Sequence, residues 1–312
     1  MDGMNLDDFY FEDSYIKGKM SDVDLSGLTG GKYLRSRLLY LAGELFNTTE
    51  EDRIKLGRVV ELVHNATLTH DDVIDNSHTR RGAPSVPALV NNKKSVLLGD
   101  YMLARALHEL SDFNNPKLTQ ELTLTLKELV EGEWIQYENT NPYEITTTLY
   151  ETLALKKTGS LFRWCFLAPL VASNPDSEYY DLLSEFGEKL GVIFQMTDDL
   201  IDFNTESKKS YGLDFRNNNI NFVLHFVGMN YPECGTKFLR TEEISDLSAD
   251  EMKIIEDSLK LAQETVQTYL ERCHVILKTL KEKLDLGDDQ TPQLNAIGEF
   301  SSILDLITDR VF

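Results

Sequence analysis

The pattern Asp-Asp-x-x-Asp occurs twice, as Asp71-Asp72-Val73-Ile74-Asp75 and as Asp198-Asp199-Leu200-Ile201-Asp202, each time within an apolar run. On a helix, residues four apart lie about 6 Å apart along the axis and share a face. Asp71 pairs with Asp75 in this way, and Asp198 with Asp202. Like charges so placed repel, and ionised side chains are costly to bury unpaired, so each pair demands a cation. Neither motif has clustered Cys or His, and all-oxygen donors favour Mg²⁺, which keeps waters and completes its shell with substrate phosphates. Arg80-Arg81 follow the first motif, and guanidinium groups match the geometry of a diphosphate.

The surroundings of the motifs read as helical almost throughout, and no strand-like alternation persists. A helix is expected from about Glu50, capped by Thr48-Thr49, through the first motif, stopped by Gly82 and Pro84. Others are expected over roughly 93–112, 117–139, 143–172, 177–204, 219–230, 249–284 and 291–311, separated by Asn, Pro and Gly breaks. Residues 1–29 read as a ragged lead-in with one short helix near Asp13–Met20, and Lys208 to Asn219 as a polar loop. No linker divides the chain. If the two motifs serve one site, a single large helical bundle over 1–312 must place a central cavity between the two Asp-rich helices.

Charge and composition narrow the function. A net charge of −21 argues against a nucleic-acid-binding surface, which needs a basic footprint. Cys165, Cys234 and Cys273 form no C-x-x-C pattern, which fits a reducing cytoplasm better than a disulfide framework or a zinc site. The acidic start MDGMNLDDFYFED is the opposite of a targeting peptide. The most apolar run, Leu161 to Ala172, is too short to span a bilayer and contains Arg163.

At 100° per residue, His64, Asp71 and Asp75 fall within about 40° of one another, so His64 extends the first carboxylate stripe. Gln195 shares the stripe of Asp198 and Asp202. Lys32, Arg35 and Arg37 follow the Gly30-Gly31 pair, either as a basic surface patch or as cations carried to a phosphate. The stretch Glu128–Glu138 reads as a solvated face, with Gly132 marking close packing, and Trp134 and Trp164 read as core. Paired carboxylates, neighbouring cations and apolar walls together suit departure of a diphosphate. Divalent ions neutralise the leaving oxygen, and a dry pocket protects a carbocation.

From Gly30 to Arg310 the chain resembles the trans-prenyl diphosphate synthases. The ordered motifs are GGKYLR at 30–35, ELVHNATLTHDDVIDNSHTRRG at 61–82, GDYMLARAL at 99–107, KTGSLFR at 157–163, FQMTDDLID at 194–202 and GLD at 212–214. The resemblance implies an all-α, isoprenoid-synthase-type bundle. It implies a homodimeric, cytoplasmic prenyltransferase that condenses isopentenyl diphosphate with an allylic diphosphate, using three Mg²⁺ ions with substrate bound. Asp71, Asp75, Asp198 and Asp202 would hold the metal, while Asp72 and Asp199 complete the motifs. Arg80, Lys157 and Lys209 would contact the allylic diphosphate, and Lys32, Arg35, His64 and Arg81 the isopentenyl diphosphate. Thr158 and Gln195 would sit beside the allylic cation.

Three positions depart from the family pattern. Ser36 stands where Pro is usual, Asn218-Asn219 where Gly-Lys is common, and Leu213 where a polar or basic residue is common. Losing that lysine removes one cation from the allylic site. Short-chain members carry a bulky aromatic four or five residues before the first Asp, where this chain has Thr67 and Ala66. A tail running from Ala66 back toward Leu56 has about 15 Å of helix to follow, which favours a medium or long product. Its floor could come from Met102 or from the helix around Leu122–Trp134. The alternatives are a short-chain (C15 or C20) synthase, a terpene cyclase of the same fold, and a weakly active subunit of a heteromeric synthase. GGKYLR, His64 and Arg80-Arg81 speak against the cyclase, and the retention of both Asp motifs against the subunit.

Overall fold

The computed structural model describes residues 15–20, 23, 25, 28, 33–173, 177–203, 212–287 and 291–311. Gly30, Gly31, Lys32 and Lys209 lie outside the described residues. After a single turn of helix at Lys17–Met20, the main helices are α1 (Leu34–Leu45), α2 (Glu50–Ile74), α3 (Asn92–Ser111) and α4 (Pro116–Glu138). Next come α5 (Thr147–Ala154), a π-helical turn at Leu155–Gly159, α6 (Ser160–Ser173) and α7 (Tyr180–Ile201). The chain ends with α8 (Leu213–Asn217), α9 (Phe222–Asn230), α10 (Pro232–Phe238), α11 (Ala249–Lys283) and α12 (Pro292–Thr308).

Local chemistry accounts for most helix boundaries. Thr49 caps α2 by accepting from the Asp52 amide, as its position before Glu50-Glu51-Asp52 leads one to expect. Ser248 and Glu251 form a reciprocal capping box at the start of α11. Three boundaries differ from the sequence reading. The 143–172 stretch is interrupted by the π turn, and the loop expected over 208–219 contains the short α8. The third is α2, which stops at Ile74, well before Gly82. Asn76 adopts φ +51°, and the Ser77 amide reaches back to the Asp72 carbonyl at 2.9 Å, closing the helix as a Schellman-type cap. The residues beyond form a two-stranded hairpin, Thr79–Arg80 against Ala83–Pro84. Its two-residue loop, Arg81-Gly82, has φ of +53° and +79°, the signature of a type I′ turn.

The chain divides into two compact units, Met1–Gln120 with Ala168–Pro175, and Glu121–Leu167 with Asp176–Phe312. In the first unit α2 packs against α1 and α3, burying Leu38, Leu39, Leu56, Val59, Val63 and Met102. In the second, α7 packs against α11, α12 and the π turn, with Phe166, Phe186 and Phe300 meeting at centroid distances of 5.0–5.9 Å. Trp164 is fully buried, as expected of a core residue, whereas Trp134 is 63% exposed. Trp134 lies in a stripe with Val130 and Tyr137 on α4, one residue per turn along the same face, so it does not belong to the core of its unit.

The π turn is gripped from two sides by backbone. A Cβ at Gly132 of α4 would lie 2.6 Å from the Lys157 amide nitrogen. A Cβ at Gly191 of α7 would lie 2.5 Å from the Gly159 Cα. These are backbone atoms, which cannot rotate away as a side chain can. Gly191→Ala is therefore expected to destabilise the fold by about 1–3 kcal/mol, the cost of overpacking. Denaturant unfolding checks this: an unchanged midpoint would mean that α7 and the π turn separate without penalty.

Candidate active site

In the first unit the Asp motif occupies the last turn of α2. Asp72 is fully buried, Asp71 partly so, and Asp75 is the exposed C-cap residue. The negative end of the helix dipole adds to the carboxylates and strengthens their demand for a cation. Arg80, on the first strand of the hairpin, donates from Nε (3.0 Å) and Nη2 (2.6 Å) to Asp72 Oδ1. The tight turn that follows turns Arg81 back, and its Nη1 donates to the Leu28 carbonyl at 3.0 Å. His64 Nε2 lies 3.3 Å from Arg35 Nη1. Burial first, then the charges of Arg35, Arg81 and Arg80, hold the imidazole well below its ordinary pKa. His64 is thus a neutral ring among three guanidinium groups, a setting that favours an arriving anion.

The start of α1 bears on the Ser36 departure. Ser36 donates its amide to Glu61 Oε1 at 3.2 Å, and Glu61 is buried. A proline there would have no N–H to give. Ser36 thus satisfies a carboxylate of α2 that this chain places beneath the start of α1.

In the second unit a chain of hydrogen bonds fixes the second motif. Thr158 Oγ1 donates to Gln195 Oε1 at 2.9 Å, and Gln195 Nε2 donates to Asp199 Oδ1 at 2.9 Å. The other Asp199 oxygen accepts from the Tyr150 hydroxyl at 2.6 Å and from the Phe222 amide at 2.9 Å. Burial and the nearby Asp214 carboxylate push Asp199 up to about 8, against the pull of those three donors. Tyr150, Gln195 and Asp199, with Lys157 and Gln136, line a cavity of about 20 Å³.

Asp198 remains partly exposed, with Arg310 Nη2 3.6 Å from its Oδ1. Asp202 differs. Its Oδ1 accepts from the Leu213 amide (3.1 Å) and its Oδ2 from the Asp214 amide (2.9 Å), so this carboxylate holds the start of α8. The Asn218-Asn219 departure also has a local basis. Asn218 sits at φ +52°, a backbone position that suits glycine and that Asn tolerates best among the other residues. Asn219 Nδ2 donates to Asp214 Oδ1 at 3.0 Å, and Asn221 Nδ2 to Asp214 Oδ2 at 2.9 Å. A neutral amide thus meets the carboxylate where the family pattern has a lysine.

The stretch Glu128–Glu138 is not the solvated face that its composition suggests. Glu128 binds Arg163, Glu131 binds Lys156, and Glu133 lies 2.7 Å from Lys157 Nζ. Lys157 Nζ also donates to Gln136 Oε1 at 2.8 Å. Sequence reasoning missed Glu133, Gln136, Tyr150, Asp214 and Glu61. For the glutamates of α4 a signal existed, because Lys156, Lys157 and Arg163 form a cationic series complementary to Glu128, Glu131 and Glu133. Tyr150 and Asp214 carried none. Of the tail-length candidates, Ala66 is fully buried in the first unit, while Thr67 is partly buried and donates to the His64 carbonyl at 2.8 Å.

Among the described residues, no three His, Cys, Asp or Glu side chains converge as a ready-made metal cage. The donor set still fits Mg²⁺: hard carboxylate oxygens, few per motif, partly exposed at Asp71 and Asp198 and exposed at Asp75, leave positions for water and phosphate.

Comparison with known proteins gives this arrangement its class. The sequence model of the polyprenyl synthetase family matches residues 23–254, and the chain belongs to that family. A decaprenyl-diphosphate synthase from Dictyostelium discoideum is 32% identical over 255 residues, 80% of this chain. The chain spans only 55% of that relative's length. The crystal structure of a decaprenyl diphosphate synthase from Rhodobacter capsulatus superposes with a TM-score of 0.78 at 25% identity, covering 98% of this chain and 94% of that one. A polyprenyl synthase from Caulobacter crescentus CB15, complexed with calcium and isoprenyl diphosphate, has the same fold, with a TM-score of 0.76 at 24% identity, covering 98% and 93% of the two chains. The all-α, isoprenoid-synthase-type fold expected from the sequence is the fold observed. No described helix is long and apolar enough to cross a membrane.

The raised pKa of Asp199 has a sign that can be tested. A carboxyl whose folded pKa exceeds its unfolded value stabilises the fold fully below the unfolded pKa, and that contribution is lost as pH rises through the folded one. For Asp199 the window runs from the ordinary aspartate value of 3.8 to about 8. Asp199→Asn should flatten the fall in metal-free stability across that window. An equally steep fall in the variant, followed by melting temperature against pH, would place the titration on another group.

Proposed function

We propose that the protein is a Mg²⁺-dependent prenyltransferase that adds isopentenyl diphosphate to an allylic diphosphate, making an all-trans polyprenyl diphosphate of medium or long chain. One observation carries this reading: the first two residues of both Asp motifs divide their labour in the same way. In each, the middle residue (Asp72 or Asp199) is buried and hydrogen-bonded to its own unit, while the first (Asp71 or Asp198) stays partly exposed. That is what two metal-binding motifs need, an anchor behind and a ligand in front.

In this reading residues 1–312 act as one synthase domain. Asp71, Asp75 and Asp198 hold Mg²⁺, three ions with substrate bound, and Asp202 contributes chiefly by positioning α8. When bound, Mg²⁺ neutralises the charge that develops on the departing diphosphate oxygen. Arg80, Lys157 and Lys209 grip the allylic diphosphate. Lys32, Arg35, Arg81 and the neutral His64 grip isopentenyl diphosphate. As the allylic C–O bond breaks, Gln195 and Thr158, fixed by Asp199, present oxygen dipoles to the cation. The isopentenyl double bond attacks that cation, and the proton lost from the adduct passes to the released diphosphate.

Ala66 leaves room for the growing tail where an aromatic ring would close its path, which favours a product longer than geranylgeranyl diphosphate. The exposed stripe of Val130, Trp134 and Tyr137 is a natural surface for homodimer contact. The three cysteines form no disulfide, and two of them are buried, which suits a reducing compartment such as the cytoplasm.

Chelation should abolish turnover. Asp71→Ala or Asp198→Ala should lower kcat by about two orders of magnitude or more and raise the Mg²⁺ concentration needed for half-maximal rate. Asp202→Ala should instead lower the melting temperature and leave the Mg²⁺ requirement nearly unchanged. Near-normal kcat in Asp71→Ala or Asp198→Ala would overturn the metal assignment.

A further inference from the structure

The proposed reaction asks Lys157 to bind a diphosphate, yet its ammonium group is already held by side chains of α4. Nζ sits 2.7 Å from Glu133 Oε2 and 2.8 Å from Gln136 Oε1. Both acceptors lie on α4, one turn apart, and so face the same way. The backbone of Lys157 is itself set against α4, because Gly132 allows the Lys157 amide nitrogen within van der Waals range. Glu133 is therefore the immediate neighbour in sequence of the residue on which the π turn rests. Neither charge is well solvated, since the Lys157 side chain is 25% exposed and that of Glu133 18%.

We propose that Glu133 is a positioning residue that holds Lys157 against α4 until an allylic diphosphate arrives, and so sets the affinity for that substrate. The inference rests on the assignment of Lys157 to the allylic diphosphate. Before binding, the carboxylate neutralises the ammonium group and stops it from collapsing onto the carboxylates of the second motif. On binding, the diphosphate must take Lys157 from Glu133, whose negative charge opposes it. Gln136 is neutral and keeps its contact in both states, orienting the ammonium group without competing for its charge. Glu131 and Glu128 do not substitute for Glu133, because each already has its own cation, Lys156 or Arg163.

The test measures KM for a farnesyl diphosphate primer, KM for isopentenyl diphosphate, and the Kd of inorganic pyrophosphate with Mg²⁺, in wild type, Glu133→Gln, Lys157→Ala and the double variant. Glu133→Gln should lower the primer KM and the pyrophosphate Kd by about two- to fivefold, as expected for releasing a partly exposed ion pair. The KM for isopentenyl diphosphate should not change. In the Lys157→Ala background, Glu133→Gln should have no effect on the primer. If Lys157→Ala leaves the primer KM unchanged, the assignment of Lys157 fails, and this proposal with it. If Lys157→Ala weakens the primer but Glu133→Gln leaves it unchanged or weakens it too, only the role of Glu133 is overturned. Should Glu133→Gln fold poorly, Glu133→Met removes the same charge with similar volume and is read in the same way.

Discussion

The structure depends on closing off two buried carboxylates, Asp72 and Asp199. A carboxyl group deprived of water is tolerated best when hydrogen-bond donors meet its oxygens. Arg80 donates twice to Asp72 Oδ1, which ties the hairpin after α2 to the last turn of that helix, while Asp72 Oδ2 is buried with no hydrogen-bond partner among the described residues. Asp199 obtains its donors from Tyr150 on α5, Gln195 on its own helix and the first amide of α9. One side chain thus joins three elements. Because the middle residue of each motif is held from behind, the first can stay at the surface, where a metal and a diphosphate can reach it.

Around the second motif the same economy recurs at backbone level. Asp202 receives two amides of α8, and Asn221 donates to both the Asp199 carbonyl and Asp214. The π turn places Lys157 and Thr158 on successive positions that an undisturbed α-helix would present differently, and Gly132 and Gly191 press that turn from opposite neighbours. π-helical turns within helices are found chiefly at functional sites. Here the turn carries the two residues assigned to the allylic diphosphate and the cation.

Much of this was legible in the sequence because it rests on local rules. Helical periodicity, the Thr49 cap and the spacing of the two Asp motifs each act within a few residues. The early end of α2 was not legible, because Gly82 is the stronger stop signal in one dimension. In three dimensions Asn76 takes the left-handed position, and Arg80 is needed back at Asp72. Glu133 and its neighbours looked like a solvated face because charge alone does not reveal a partner more than twenty residues away. Trp134 looked like core because an aromatic residue on a helix usually is. The roles of Tyr150 and Asp214 arise only from folding, since nothing in their own surroundings marks them as partners of the second motif.

The central claim is that the two carboxylate motifs and their cations elongate an allylic diphosphate. It is tested most directly by supplying labelled isopentenyl diphosphate with Mg²⁺ and, in turn, geranyl, farnesyl and geranylgeranyl diphosphate, then separating the products by chain length. Labelled polyprenyl diphosphates longer than geranylgeranyl diphosphate are expected, and none when chelator is added. Products that stop at farnesyl or geranylgeranyl diphosphate would contradict the tail-length argument from Ala66. A cyclic hydrocarbon formed without consumption of isopentenyl diphosphate would contradict the account as a whole.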